Sequence, residues 1–231
     1  MDIVNYIIKG RGYGINIKGR DIMKIIQLAI KYCKKTICIM LIISVMITSS
    51  GFNKSKTEYK IDESTKIELL NQAQVVDWKS FDNIMHIGSR FIVIDYYTGT
   101  YFVCERHMGG LHADIETIDK EATKSLKSLY KDRENWKHRP VLIVFEDKSV
   151  YCASSFIVGH AGRDDKKFLE MIDNRSSGYG TGENYDFIKG NDLEGHFCVH
   201  VPGCKNHFDG KVSQKHQSNI EYLKQEKIKL K

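Results

Sequence analysis

Hydrophobic and polar residues alternate along two stretches of the chain that predict β-hairpins. Residues 90–106, RFIVIDYYTGTYFVCER, contain two runs of β-branched and aromatic residues on either side of Thr98. Residues 140–156, PVLIVFEDKSVYCASSF, repeat this pattern on either side of Asp147. Because such runs are typical of strands and short polar segments are typical of turns, each stretch predicts one hairpin.

Helical spacing of apolar residues follows the first hairpin and returns at the C-terminal end. In residues 118–132 the apolar positions recur every three or four residues, with Asp119 as a capping candidate. Residues 212–230 predict a second helix with a charged outer face. We therefore expect two principal helices.

The segment GHFCVHV, residues 195–201, predicts a short strand. Side chains alternate across a strand, so His196, Cys198 and His200 are expected on one face. The combined patterns predict an α+β fold. Its sheet is mostly antiparallel, with two hairpins plus this cysteine-bearing strand, and it packs with the two principal helices.

The N-terminal region predicts export. Residues 1–35 are basic, and the apolar stretch 37–47 that follows is too short for a bilayer-spanning helix but suits a signal-peptide core. We interpret residues 1–51 as a basic segment with a signal peptide or short membrane anchor, and Met23 as an alternative start. Residues 52–73 are interpreted as a polar spacer, and residues 74–231 as a single exported domain, either secreted or membrane-anchored outside the cytoplasm.

The net charge of +6 lies entirely in residues 1–35, which leaves 27 basic and 27 acidic residues in the rest of the chain. A folded domain with balanced charge lacks the basic surface that nucleic acid requires. We therefore expect no nucleic-acid partner.

Cys198 admits four interpretations. It is a nucleophile, a zinc ligand, half of a disulfide with Cys204, or a buried structural thiol. A second disulfide between Cys104 and Cys152 is also open. A nucleophile needs a nearby imidazole. Neighbours two residues away on a strand are about 6–7 Å apart, so we expect the base to come from elsewhere in the chain.

The zinc interpretation uses histidine, carboxylate and thiolate donors, although no strict ligand spacing is present. Its candidate ligands are His112, Asp114, His196 and His200, with Cys198 or His207 completing the set. No cofactor is expected if Cys198 is instead a nucleophile. Arg139 is a further candidate, since an arginine binds a substrate carboxylate through two hydrogen bonds.

Two segments resemble the active-site signature of L,D-transpeptidase catalytic domains. His160-Ala161-Gly162 is similar to the upstream His-Gly pair, and residues 195–200, GHFCVH, are similar to the cysteine segment. The chain departs from that signature at Ala161 and Phe197, and at His200, where the family has arginine. The resemblance implies Cys198 as nucleophile and His160 as general base, with His196 or a local backbone carbonyl as the group that orients the imidazole.

A second resemblance covers residues 78–223. The motifs LHADIE, HRP, GHFCVH, NHFDG and KHQ are similar to those of exported cell-envelope domains from Gram-positive spore-formers. This resemblance implies a peptidoglycan or cell-wall peptide partner. The matching polar residues that we take as substrate-binding candidates are His200, His207, Arg139, His112 and Asp114.

The leading hypothesis from the sequence is cysteine-dependent acyl transfer on peptidoglycan stem peptides. A zinc-dependent peptidoglycan peptidase or amidase is the alternative enzyme. A non-catalytic module that binds the cell envelope is the third hypothesis. The N-terminal segment implies contact with the membrane if it is not cleaved.

Overall fold

The computed structural model describes residues 59–131 and 137–230, which belong to one compact unit, Lys56–Lys231. Six strands form a closed barrel in the order β1-β2-β3-β8-β5-β4, with every neighbouring pair antiparallel. The barrel strands are β1 (Arg90–Asp95), β2 (Tyr101–Met108), β3 (Ala113–Thr117), β4 (His138–Val144), β5 (Val150–His160) and β8 (His196–His200). A separate two-stranded sheet contains β6 (Met171–Arg175) and β7 (Gly180–Glu183).

The α+β class and the mostly antiparallel sheet are confirmed, but the picture of two hairpins plus a strand is wrong. The two hairpins are present as the β1–β2 and β4–β5 pairs. They are joined to each other through β1 and β4, and β8 joins β3 to β5. These pairings bring together distant segments, which alternation along a single strand does not reveal.

Four α-helices are present in the described residues, rather than two principal ones. They are α1 (Glu63–Gln72), α2 (Trp78–Ile84), α3 (Lys120–Ser128) and α4 (Gln214–Lys229). An aspartate caps each of the first three, and Asp119 does so for α3 by accepting from the backbone N–H of Ala122. The helices predicted from residues 118–132 and 212–230 correspond to α3 and α4.

The expected polar spacer at residues 52–73 is partly described, and the described part is not a spacer. Helix α1 lies there, and Leu70 is completely buried in a cluster with Leu142 and Leu223. Its sequence is mostly polar because only one side of this helix packs on the barrel. The folded unit therefore begins before residue 74.

Residues 1–58 lie outside the described residues, and with them the expected signal peptide or anchor. Among residues 59–131 and 137–230, no helix combines the length and apolar character needed to cross a membrane.

The barrel has a hydrophobic interior and a partly polar exterior. Phe197 and Val199 of β8 and Ile115 of β3 point inward into the main core. Their neighbours along these strands therefore point outward. This places His196, Cys198 and His200 together on the outer surface of the barrel, as the alternation predicted.

Candidate functional site

Strands β3, β8 and β5 lie side by side and bring the polar motifs together on the outer face of the barrel. Asp114 lies directly opposite Cys198, and Cys198 lies opposite Phe156 on its other side. His160 is likewise paired with His196. Three segments that are far apart in the sequence therefore form one continuous surface.

The surface is covered by neighbouring loops, so most of its side chains are buried. Asp114, Cys198 and His200 have 4%, 6% and 2% of their surface exposed. His207, in the loop after β8, is different, with 57% of its side chain exposed. His207 is therefore the member of this surface that solvent reaches most readily.

Gly195 permits the close approach of β8 and β5. It has φ +82°, and a Cβ there would lie 2.0 Å from the carbonyl oxygen of His160. Any other residue would combine an unfavourable backbone conformation with a collision. This glycine thus keeps His160 and His196 adjacent.

The side chains nearest Cys198 form two groups of potential metal ligands that share His112. Donor atoms of His112, Cys198 and His200 all lie within 4.8 Å of one another. Donor atoms of His112, Asp114 and His207 satisfy the same limit. Zinc bonds of about 2.0–2.3 Å place tetrahedral ligands about 3.3–3.8 Å apart, so a modest contraction would bring either group to ligand geometry.

Backbone carbonyls fix the orientation of three of these histidine rings. The Nδ1 atom of His112 lies 2.8 Å from the carbonyl oxygen of Lys205. The Nδ1 atoms of His160 and His196 approach carbonyl oxygens at 2.8 and 3.2 Å. Since a carbonyl only accepts, Nδ1 carries the proton in each ring. In the neutral ring Nε2 then has a free lone pair, as in histidines that bind metal through Nε2.

Two buried polar atoms of this surface have no hydrogen-bond partner. They are Oδ1 of Asp114 and Nδ1 of His200. The Nε2 atom of His112 is 3.1 Å from Oδ1 of Asp114 but does not form an aligned hydrogen bond with it. Buried polar atoms are nearly always satisfied in proteins, so an ordered water or an ion is the expected partner of these two atoms.

Asp114 also has no permanently charged partner among the described residues. The cations within ion-pair distance are the imidazoles of His112, His207 and His196, at 3.1, 3.6 and 3.8 Å. A buried carboxylate requires compensation of its charge. When His112 and His196 are neutral with the proton on Nδ1, the Nε2 atoms that face Asp114 provide neither a hydrogen bond nor a countercharge.

The environment of Cys198 favours the protonated thiol. Burial raises the pKa of this thiol well above its usual value, and the neighbouring Asp114 carboxylate raises it further. Burial also lowers the pKa of His160 to about 4, with a smaller contribution from His196. A thiolate–imidazolium pair is therefore not favoured at neutral pH in the metal-free chain.

The catalytic residues expected from the sequence are brought to one surface, but with different neighbours from those anticipated. The ring of His160 lies 4.4 Å from that of His196. The imidazoles grouped with Cys198 belong to His112 and His200. The donor atoms of Cys198 and His200 lie within 4.8 Å, nearer than the roughly 6–7 Å expected from their strand positions. Cys198 and His200 share no hydrogen bond in the described residues, so the expectation that the base of Cys198 comes from elsewhere stays a prediction.

His196 was expected to be a zinc ligand but belongs to neither donor group. His112, Asp114 and His200, the other expected ligands, do belong to them, as does the substrate-binding candidate His207.

Arg139 does not face this surface. Its guanidinium is completely buried and binds both oxygens of Asp95, through Nε at 2.5 Å and Nη2 at 2.9 Å. Arginine forms such bidentate pairs with any suitably placed carboxylate, and here the carboxylate is internal. The prediction that Arg139 binds a substrate carboxylate is therefore not supported.

Several site residues were not recognised in the sequence. Tyr179 stacks on His160 at 5.0 Å, and its pKa is raised mainly by burial. Ser154 of β5 lies opposite His200. Alternation along β5 already places Ser154 and Phe156 on one face, but nothing local shows that β5 pairs with β8.

The four cysteines of the described residues are free and buried, so neither suggested disulfide is formed. Cys204 lies in the barrel core, where its sulfur accepts a hydrogen bond from the backbone N–H of Val201.

Comparison with protein-family models, curated proteins and solved structures gave no match.

Proposed function

We propose that this protein is a zinc-dependent hydrolase that cleaves amide bonds in cell-wall peptides outside the cytoplasm. The observation that carries the proposal is the donor set of His112, Cys198 and His200, whose ligand atoms lie within 4.8 Å. Nitrogen and sulfur donors in this combination suit zinc.

The unpartnered atoms support the same proposal. A cation between the donors would give Nδ1 of His200 or Oδ1 of Asp114 the partner that each lacks. A divalent cation also matches the charge of one thiolate and one carboxylate. This compensation removes the cost of burying Asp114 with imidazoles as its only partners.

The arrangement suits catalysis better than a purely structural role. Catalytic zinc sites use three protein ligands and leave one position for water or substrate, where zinc lowers the pKa of the water and polarises a carbonyl. With His112, Cys198 and His200 as the residues that would hold zinc, Asp114 would serve as the proton acceptor in hydrolysis. The exposed side chain of His207 would be available to contact the substrate.

The cell-wall peptide as substrate rests on the resemblance of the sequence motifs to exported envelope domains and on the export interpretation of residues 1–51. Balanced charge in the rest of the chain agrees with a substrate other than nucleic acid.

Acyl transfer by Cys198 receives less support from the geometry. Burial and Asp114 both oppose formation of its thiolate. His160, the expected base, belongs to neither of the two donor groups that contain His112. Zinc binding would use the same sulfur as a ligand, which explains a buried thiol beside two imidazoles.

The first experiment measures zinc in the purified full chain by mass spectrometry, before and after dialysis. We expect about one zinc per chain, and its loss from a Cys198→Ala/His200→Ala variant. A Cys152→Ala/His138→Ala variant removes the same residue types outside the donor groups and should keep the metal. Equal zinc in both variants would contradict the proposed centre.

The second experiment follows cleavage of peptidoglycan fragments by mass spectrometry. A chelator should abolish cleavage, and added zinc should restore it. Iodoacetamide labelling of the metal-free chain distinguishes the alternative, because we expect slow labelling of Cys198 at pH 7. Rapid and selective labelling, together with chelator-resistant activity, would favour acyl transfer instead.

A further inference from the structure

Helix α4 contacts the site through His216, whose ring is stacked nearly parallel to that of His200. The ring centroids are 3.7 Å apart and the planes differ by 4°. On its other face His200 is stacked with His112, at 4.3 Å and 21°. Both faces of the His200 ring are therefore covered, and only its edge is available for binding.

His216 is itself held in place by a buried hydrogen-bond network. Its Nδ1 lies 2.9 Å from the hydroxyl of Ser154. The side-chain amide of Asn219, one turn further along α4, donates to the same hydroxyl at 3.0 Å. This network links α4 to β5, where Ser154 is paired with His200.

A serine, a histidine and an asparagine in contact also suggest a second nucleophilic site, but their burial argues against it. Ser154 is completely buried and His216 is 3% exposed. Neither side chain is accessible to a substrate. The network is therefore suited to holding a ring in place.

We infer that His216, anchored by Ser154 and Asn219, is a positioning residue that fixes the ring of His200 in the donor set of the metal centre. The consequence for metal binding rests on the proposed function. A ligand held in one orientation loses little conformational freedom on binding, so affinity rises without a new bond to the metal.

The test compares His216→Ala and His216→Phe in the full chain, with His138→Ala as the control. Phenylalanine preserves a ring against His200 but loses the bond to Ser154. The ring of His138 contacts His216 at 4.9 Å and is not stacked on His200. Zinc affinity is measured by competition with a chromogenic chelator, and ligand geometry by the absorption spectrum of the cobalt-substituted chain.

We expect His216→Ala to weaken zinc binding by about 10- to 100-fold and to alter the cobalt spectrum. His216→Phe should recover only part of the affinity, with a remaining loss of several-fold because the bond to Ser154 is missing, and His138→Ala should stay within about threefold of the wild type. Wild-type affinity and an unchanged spectrum in His216→Ala would overturn the inference. If His216→Ala does not fold, Ser154→Ala provides the second variant, with an expected loss of several-fold.

Nuclear magnetic resonance of ¹³C-labelled histidine in the metal-free chain separates this inference from the proposed function. The ring signals of His200 should be sharp in the wild type and broadened or shifted in His216→Ala. Absence of zinc binding in the wild type would refute the proposed function, and the His200 signals would then decide the role of His216 alone. If the His200 signals are unchanged in His216→Ala, the positioning role of His216 is refuted.

Discussion

The protein contains two buried carboxylates on its barrel strands whose surroundings are very different. Asp95 is completely buried against the guanidinium of Arg139, which binds both of its oxygens. Asp114 is nearly as buried, but its partners in ion-pair distance are imidazoles and its Oδ1 has no hydrogen bond. Asp95 has a permanent countercharge within the described chain, whereas Asp114 has none. The comparison favours the surroundings of Asp114, rather than burial alone, as the mark of the candidate site.

The largest expected effect concerns the complete pair. Arg139→Ala leaves the carboxylate of Asp95 buried without its countercharge, which should lower the free energy of unfolding by about 3–5 kcal/mol. Arg90→Ala is the matched control, because Arg90 is 65% exposed in its pair with Glu105 and should contribute at most about 1 kcal/mol. Urea unfolding measures both values. If both variants lost similarly small amounts of unfolding free energy, the buried pair of Arg139 and Asp95 would not be a major source of stability.

The next effect concerns the incomplete cluster. Zinc at about 100 times its dissociation constant should raise the free energy of unfolding by about 2.7 kcal/mol, because it binds the folded chain alone. The Cys198→Ala/His200→Ala variant should show no such rise. If zinc stabilised this variant as much as the wild type, it would not be binding at the donor cluster beside Asp114, and the contrast drawn between Asp95 and Asp114 would be wrong.

A smaller effect tests whether one unpartnered atom is enough to mark a metal site. The Nε2 atom of His107 is also buried without a hydrogen bond, but His107 belongs to neither donor group. Its ring stacks on Phe187 at 4.2 Å. His107→Phe should therefore leave zinc affinity unchanged, and a marked loss would extend the centre beyond the two donor groups.

His107 should instead affect the pH dependence of stability. Burial lowers its pKa to about 4, and Glu105 offsets only part of this shift. Below the unfolded value of about 6.5 the unfolded chain binds a proton that the folded chain does not, so stability falls as the pH decreases from 6.5 to 4.

Replacing His107 by phenylalanine should reduce this loss at pH 5 by about 1 kcal/mol, a value below the full pKa shift because solvent screens the charge. Urea unfolding at pH 7 and pH 5 measures the difference. A slope identical to that of the wild type would show that His107 does not titrate in this way.

Part of the candidate site was predictable from the sequence. The alternation in residues 195–201 correctly placed His196, Cys198 and His200 on one face, because side-chain direction in a strand follows from local geometry. The spacing of His112 and Asp114 likewise indicated a shared face.

Other features of the site were not predicted correctly, because they depend on contacts between distant segments of the chain. Arg139 has the residue type of a substrate clamp, but its partner, Asp95, is 44 residues away in the chain. The contact of His216 with His200 depends on the packing of α4 beside β8, and that of Tyr179 with His160 on the position of the β6–β7 sheet. Local patterns contain no information about such pairings.

The sequence by itself determined the α+β class, most of the barrel strands and the shared face of the cysteine-bearing strand, because these depend on the period of apolar residues. Only the tertiary structure decided that the barrel closes and that β8 lies between β3 and β5. It also decided that Cys198 is grouped with His112 and His200 and that Arg139 is internal. These features arise from pairings between distant segments, whose free energy depends on burial and register rather than on local sequence.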